Sequence, residues 1–321
     1  MSNRLHGPLD PAPDAGWEQA PPRKGFFTDT TVCIGCKACE VACKEWNAIP
    51  MDGDLDLLGS SYDNTGALGA STWRHVAFIE QPKPLGHQEP GLLRERSSVD
   101  LGMPSVRPAV DGDAAEGAES ADGAGRMDFR WLMSSDVCKH CTHAACLDVC
   151  PTGSLFRTEF GTVVVQDDIC NGCGYCVPAC PFGVIERRKG DAGTRNVGIA
   201  QKCTLCYDRI GVGDMPACAK ACPTESIQYG DLDELRERAQ TRVETLHEQG
   251  VADARLYGED PEDGIGGAGA MFLLLDEPEV YGLPPDPVVT TRDLPEMWRK
   301  AGLAAGALLA GAVLSFLGGR S

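Results

Sequence analysis

The chain has 321 residues, 42% of them hydrophobic but only 6% aromatic, with 38 Gly and 22 Pro. That length suits two domains or one elaborate one, with many turns and much irregular backbone. A formal net charge of −18 excludes a nucleic-acid partner, whose phosphates demand a basic surface, and the acidity itself reads as solubility.

Residues 1–24 form a polar tail. Met1–Thr30 is Pro-rich and has no apolar h-region, so no secretory signal is expected. The first of four cysteine runs follows: Cys33, Cys36, Cys39 and Cys43, in TVCIGCKACEVACKEW. Thr72–Glu80 (TWRHVAFIE) alternates apolar and polar residues and predicts a strand, with Asp128–Met133 as its possible partner. Between them, residues 86–126 are rich in Gly, Ala, Ser, Asp, Glu and Pro, which predicts a partly disordered surface insertion.

Run two is Cys138, Cys141, Cys146 and Cys150, in VCKHCTHAACLDVCP. Gly161–Gln166 (GTVVVQ) predicts a short strand, and run three follows with Cys170, Cys173, Cys176 and Cys180 in ICNGCGYCVPACP. Run four is Cys203, Cys206, Cys218 and Cys222, in KCTLCYDRIGVGDMPACAKACP. Beyond it, Asp231 is placed to cap a helix. Leu232, Leu235, Ala239, Val243 and Leu246 recur there at three- and four-residue steps, and Gly250 ends the pattern.

Gly264–Gly269 (GIGGAG) has a superficial phosphate-loop look. It neither follows a strand nor opens a helix, and no Lys-Ser/Thr comes after it, so a plain turn before a strand at Met271–Leu275 is expected. Ala301–Gly319 carries no charge, and as a helix it would span about 28 Å, close to a bilayer core of about 30 Å. Trp298, Arg299 and Lys300 flank one end and Arg320 the other, and Gly302/Gly306 and Ala307/Gly311 are small-xxx-small pairs. A membrane anchor is expected over residues 296–321; the competing reading is a helix buried against a soluble partner.

The cysteine spacing carries chemistry. A cubane iron–sulfur cluster needs four thiolates converging from different directions. A tight loop with x2, x2 spacing supplies three, and the fourth cysteine, three residues on, is expected to start a helix and point to a second cluster. Runs one and three have C-x2-C-x2-C-x3-C, run two C-x2-C-x4-C-x3-C, and run four C-x2-C-x11-C-x3-C. Pro151, Pro181 and Pro223 follow the last cysteine of runs two to four, whereas Lys44 follows Cys43. Structural zinc would use two CxxC knuckles per ion and has no use for this third and fourth spacing. Four runs of four leave no cysteine over, so four [4Fe–4S] clusters are expected.

The crossed rule joins neighbouring runs two and three: Cys138, Cys141 and Cys146 with Cys180, and Cys170, Cys173 and Cys176 with Cys150. Runs one and four then pair over a long separation: Cys33, Cys36 and Cys39 with Cys222, and Cys203, Cys206 and Cys218 with Cys43. One module is thereby nested in the other; pairing run one with two and three with four would also be crossed. Lys37, Lys44, Lys139 and Lys202 sit beside these cysteines and either tune them or are simply solvated. His140 and His143 are read as surface or hydrogen-bonding groups. No Ser/His/Asp or paired-carboxylate grouping stands out, so no catalytic residue is expected.

The order of the four runs resembles the iron–sulfur subunits of membrane-associated molybdopterin oxidoreductases. Within these, TVCIGCKACEVACKEWN, the YDN at Tyr62–Asn64, KCTLCYDRIGVGDMPACAKACPT and YGLPPDP at Tyr281–Pro287 resemble the beta subunit of formate dehydrogenase. The equivalent subunits of dimethyl sulfoxide, polysulfide and nitrate reductases are the alternative. The resemblance implies an electron-transfer subunit that relays electrons from a molybdenum or tungsten pterin catalytic subunit to an integral membrane quinone-reducing or cytochrome b subunit. It also implies the periplasmic face of a bacterial inner membrane, whereas Arg299 and Lys300 favour the cytoplasmic face by the positive-inside rule.

The expected fold is α+β: two pseudo-symmetric, bacterial-ferredoxin-like two-cluster modules, one nested in the other, plus a C-terminal transmembrane helix. The outer module occupies residues 25–85 and, with a C-terminal extension, 201–295; the inner module occupies 127–200.

Overall fold

The computed structural model describes residues 16–52, 65–81, 130–191 and 193–318. The expected insertion at 86–126, Tyr62–Asn64, Asp128 and Arg320 lie outside the described residues. The chain divides into two compact units, residues 1–79 with 133–321 and residues 80–132; the first holds every cysteine.

The main sheet is built from β1 (Lys24–Asp29), β8 (Ile227–Asp231), β9 (Arg255–Tyr257) and β10 (Ala270–Leu274), in the order β8-β1-β10-β9. Phe26 pairs with Ala270 in a parallel β1–β10 ladder, and Phe26 pairs with Tyr229 in an antiparallel β1–β8 ladder. β10 is the predicted strand shifted by one residue. It is buried along its whole length, as a continuous apolar run with both faces covered should be.

Alternation divides the sheet's work. Phe27, Met271 and Leu273 point to one face and pack under α6 (Leu232–Glu248), against Leu232, Leu235, Ala239 and Leu246. Phe26 and Phe272 point to the other face, where the cysteine runs lie, and each carries a buried cation on its ring. α6 is therefore the predicted helix, with one change at its start. Asp231 makes no capping bond; its carboxylate pairs with Lys24, and the Arg23 carbonyl accepts the Leu232 N–H instead. Leu235→Ala is expected to lower unfolding stability by about 2–5 kcal/mol in a denaturant titration, since Leu235 is 1% exposed at the centre of this core.

Three two-stranded ladders position the cysteine loops: β2 (Arg74–Gln81) with β3 (Arg130–Val137), β4 (Leu155–Arg157) with β5 (Val163–Val165), and β6 (Glu186–Arg187) with β7 (Ala200–Gln201). Short helices follow or carry the runs: α1 (Ala38–Trp46), α2 (Ala145–Asp148), α3 (Cys176–Ala179), α4 (Tyr207–Ile210) and α5 (Ala217–Lys220). α1 packs on α5, and α2 on α3.

The fourth cysteine does not start a helix, as the spacing rule had it. Cys150, Cys180 and Cys222 lie just past the ends of α2, α3 and α5, one turn beyond the third cysteine that each helix carries. The reason is the following proline, which pushes its predecessor out of helical geometry. Run one has Lys44 there, and α1 continues through Cys43 to Trp46.

The last element, α7 (Leu294–Gly318), contains a stretch, Glu296–Ser315, long and apolar enough to cross a membrane, with none of it buried in the chain.

Candidate functional site

All sixteen cysteines lie among the described residues and none is disulfide-bonded. The same turn recurs in every run. The residue just before the second cysteine has a left-handed backbone in all four: Gly35 (φ 64°), His140 (45°), Gly172 (70°) and Leu205 (58°). Two are glycines, which adopt it freely; His140 and Leu205 carry a conformational strain that persists only where packing holds it. Both are buried, His140 at 2% and Leu205 at 1% exposure.

A methyl group on Gly172 would meet the Gly198 carbonyl oxygen at 2.5 Å, whereas one on Gly153 (φ 68°) meets nothing within 4 Å. Gly172→Ala is therefore expected to open the run-three loop and remove about four irons per chain, with Gly153→Ala leaving iron unchanged. Iron analysis of the two variants checks this.

The turns bring the cysteines together in fours. Cys33, Cys36, Cys39 and Cys222 line one cavity, Cys138, Cys141, Cys146 and Cys180 a second, and Cys150, Cys170, Cys173 and Cys176 a third. The remaining four meet as well: Cys43 feels the charges of Cys203, Cys218 and Cys206, and Asn47 Nδ2 lies 3.8 Å from Cys43 Sγ and 3.9 Å from Cys206 Sγ. Among the described residues no three His, Cys, Asp or Glu side chains are grouped closely enough to hold a single metal ion.

Burial holds most of these thiols in the protonated form when nothing neutralises them: it pushes Cys39 and Cys206 up to about 11 and Cys146 and Cys203 up to about 12. Cys150 moves the other way. The Ser154 hydroxyl at 3.3 Å and the Leu155 N–H, with Thr152, outweigh burial and bring it down to about 7. Thiols gathered in fours, free of disulfides and ready to bind as thiolates to a strong cation, are the donor set an iron–sulfur cluster requires.

Polar groups support the sets, and several differ from the sequence reading. Lys139 and Lys202 are not solvated; they are 1% and 2% exposed. Lys139 Nζ pairs with Asp136 and sits 4.8 Å from the Phe272 ring and 5.2 Å from that of Phe182, while Lys202 Nζ donates to the Val163 and Cys203 carbonyls. Lys37 and Lys44 are half-buried, pairing with Glu40 and donating to the Ser71 carbonyl at 2.9 Å. His140 is a hydrogen-bonding group rather than a surface one: its Nδ1 accepts the Val163 N–H at 3.1 Å. The proton therefore sits on Nε2, a buried donor with no acceptor among the described residues, on a ring that lines the Cys138 cavity. Burial and the nearby Lys202 and Arg23 hold this imidazole well below its ordinary pKa, so it is neutral.

The glycine-rich stretch is a turn with a task. Asp263 Oδ1 takes the N–H groups of Ile265 at 3.0 Å and Gly267 at 2.8 Å, and the turn's carbonyls accept Thr142 N–H at 3.0 Å and His143 N–H at 2.8 Å from run two. The sequence reading also missed Arg74, 2% exposed on β2 with its guanidinium directed at Cys218. Its position in phase with the buried Val76 on an alternating strand was the available signal.

The four sets follow one another. Cys39 of the Cys33 set feels Cys218, Cys203 of the Cys218 set feels Cys138, and Cys146 of the Cys138 set feels Cys176. They are hereafter the first, second, third and fourth sites in that order.

Residues 129–232 match the 4Fe-4S dicluster domain family, which spans runs two, three and four. The formate dehydrogenase iron-sulfur subunit of Haemophilus influenzae is 35% identical over 285 residues, covering 88% of this chain and 74% of the relative. The protein belongs to the family of formate dehydrogenase iron–sulfur subunits. The nitrate-inducible formate dehydrogenase iron-sulfur subunit of Escherichia coli is 34% identical over 299 residues, covering 90% of this sequence and 83% of the relative. A component of the anaerobic dimethyl sulfoxide reductase of the same organism is 28% identical over 214 residues, covering 67% and 76%. As a member of that family, the protein is an iron–sulfur electron-transfer subunit that binds 4Fe–4S clusters, and its unburied C-terminal helix is a candidate membrane span.

Proposed function

We propose that the protein holds four [4Fe–4S] clusters, one per site, as a linear wire from a molybdopterin catalytic subunit that oxidises formate to a membrane subunit that reduces quinone. One observation carries the reading. Of the sixteen cysteines only Cys36 and Cys173 are exposed, and they belong to the first and fourth sites, the two ends of the sequence of neighbours. All four cysteines of the second site are buried. A wire needs that profile: insulated carriers inside and one accessible carrier at each end.

Each bound cluster supplies a one-electron carrier; the protein's own residues hold it and exclude water. The cavity linings favour the crossed assignment, in which each set of three cysteines is completed by the fourth cysteine of another run, with runs one and four enclosing runs two and three. The helix contacts α1–α5 and α2–α3 support the same nesting.

The membrane end is assigned to the fourth site. The Thr291 hydroxyl, three residues before α7, donates to Asp148 Oδ2 at 2.6 Å, and Asp148 lies between Cys146 and Cys150. An open groove of about 640 Å3 beside Cys173, with Arg187, Arg188 and Lys189 in its wall, gives that end room for a docking partner.

The likeness to a dimethyl sulfoxide reductase component supports a second reading, in which the same wire runs inward to a reductase. Iron and sulfide analysis of the purified protein is expected to give about sixteen irons per chain. The native complex is expected to reduce a dye or quinone at the expense of formate. A zinc-loaded, EPR-silent protein would remove the wire, and a complex that reduces sulfoxide and ignores formate would leave the wire but reverse it.

A further inference from the structure

Arg74 is a full positive charge buried where two sites meet. Its Nη2 lies 3.3 Å from Cys218 Sγ of the second site. Its Nη1 donates to the Ser135 carbonyl at 3.1 Å and lies 3.4 Å from the Ser135 hydroxyl, which is itself 3.2 Å from Cys39 Sγ of the first site. The guanidinium is stacked 4.8 Å from the centre of the Phe26 ring, on the face of the main sheet turned away from α6. Among the described residues no carboxylate pairs with it, and its Nε has no acceptor. A guanidinium this deep would be costly without compensating negative charge, and the sulfurs of the two sites are the anions within reach.

We propose that Arg74 is a potential-setting residue shared by the first and second clusters. The inference rests on the four-cluster reading and adds a role for a residue outside the cysteine runs. Reducing a cluster adds one negative charge, and a fixed cation beside its sulfurs stabilises that form. Removing the cation therefore makes reduction harder. One electron leaves the first cluster and enters the second, with no proton or atom transferred and no change in Arg74. Because the guanidinium serves both, it favours reduction of both and keeps the step between them shallow. Its contact is direct at Cys218 and relayed by Ser135 at Cys39, so the second cluster feels it more strongly. The sulfurs that face Arg74 most strongly, Cys218, Cys39, Cys203 and Cys43, all belong to the first two sites, so the third and fourth clusters act as internal controls.

The test is a redox titration of the whole protein followed by EPR, comparing wild type with Arg74→Gln, Arg74→Lys and Ser135→Ala. Wild type first establishes the four clusters; fewer than four overturns the underlying reading, whatever the variants do. Arg74→Gln is expected to lower the reduced-to-oxidised ratio at least tenfold at fixed potential for two clusters, a shift of 59 mV for one electron, and to leave the other two in place. Arg74→Lys, which keeps the charge, is expected to restore most of that shift. Four unmoved potentials, or four that move together, overturn the inference. If Arg74→Gln loses iron, Ser135→Ala decides: it keeps the cation, removes the hydroxyl facing Cys39, and is expected to lower the potential of one cluster only. No change there overturns the shared role.

Discussion

Cys203→Ala is expected to abolish formate-driven quinone reduction in the native complex while formate still reduces a soluble dye at the catalytic subunit. Cys203 belongs to the second site and feels Cys138 of the third, so it stands between those two sites. It is buried, and its sulfur takes the Leu205 N–H at 3.3 Å in the left-handed turn that shapes the loop. Removing it leaves three thiols and no solvent path to a substitute ligand. The cluster should be lost, with iron falling from about sixteen to about twelve per chain. The rate to quinone should fall by more than the roughly 100-fold that loss of an outer-shell partner costs a metal site. Iron content, dye reduction and quinone reduction on one preparation separate the outcomes. Loss of dye reduction as well would mean that the complex had not assembled. Intact quinone reduction at about twelve irons would mean that electrons do not pass the second site, and the linear order would be wrong.

The same residues show how far the sequence could be read. The cysteine runs were legible because their spacing is covalent: a loop of fixed length can turn around a cluster in few ways, and proline marks where α2, α3 and α5 stop. The Leu232–Leu246 helix was legible because its apolar side chains recur with the helical period and have one face to bury. The parallel pairing of Phe26 with Ala270 was not, since a six-residue strand before run one gives no sign of a partner near the far end of the sequence. Arg74 was passed over, and Lys139 and Lys202 were left between tuning and solvation, for one reason. A charged residue on an alternating strand or beside a cysteine is ordinarily solvated, and only the three-dimensional gathering of sulfurs makes burying a cation worthwhile. The Asp263–Gly267 turn escaped for a related reason: its partners are backbone groups of run two, which have no side-chain signature.

Ending the protein after Asp293 is expected to move it from the membrane fraction to the soluble fraction with its iron content unchanged. α7 makes no core of its own: Leu303, Leu308, Leu309 and Leu314 are 70%, 76%, 68% and 69% exposed, and among the described residues nothing beyond the helix's own turns lies within 4 Å of a methyl group built on Gly302, Gly306 or Gly311. So much unpaired apolar surface on one helix is stable in lipid and a liability in water. The cut spares the contacts that root the helix, because Thr291 still reaches Asp148 and the Arg292 guanidinium still donates to the Asp263 carbonyl. The turn that supports run two should therefore keep its place, and the fourth site its cluster. Expressing the shortened protein alone and with its membrane partner separates the two ways of being held. Alone, it should remain soluble after high-salt washing at about sixteen irons. With the partner, whatever stays on the membrane measures docking at the groove beside Cys173, where the exposed Arg187 and Lys189 would make retention fall as salt rises. A shortened protein that stays in the membrane by itself would show that α7 is not the anchor. One that turns soluble but loses iron would show that the helix is part of the fourth site rather than a tether for it.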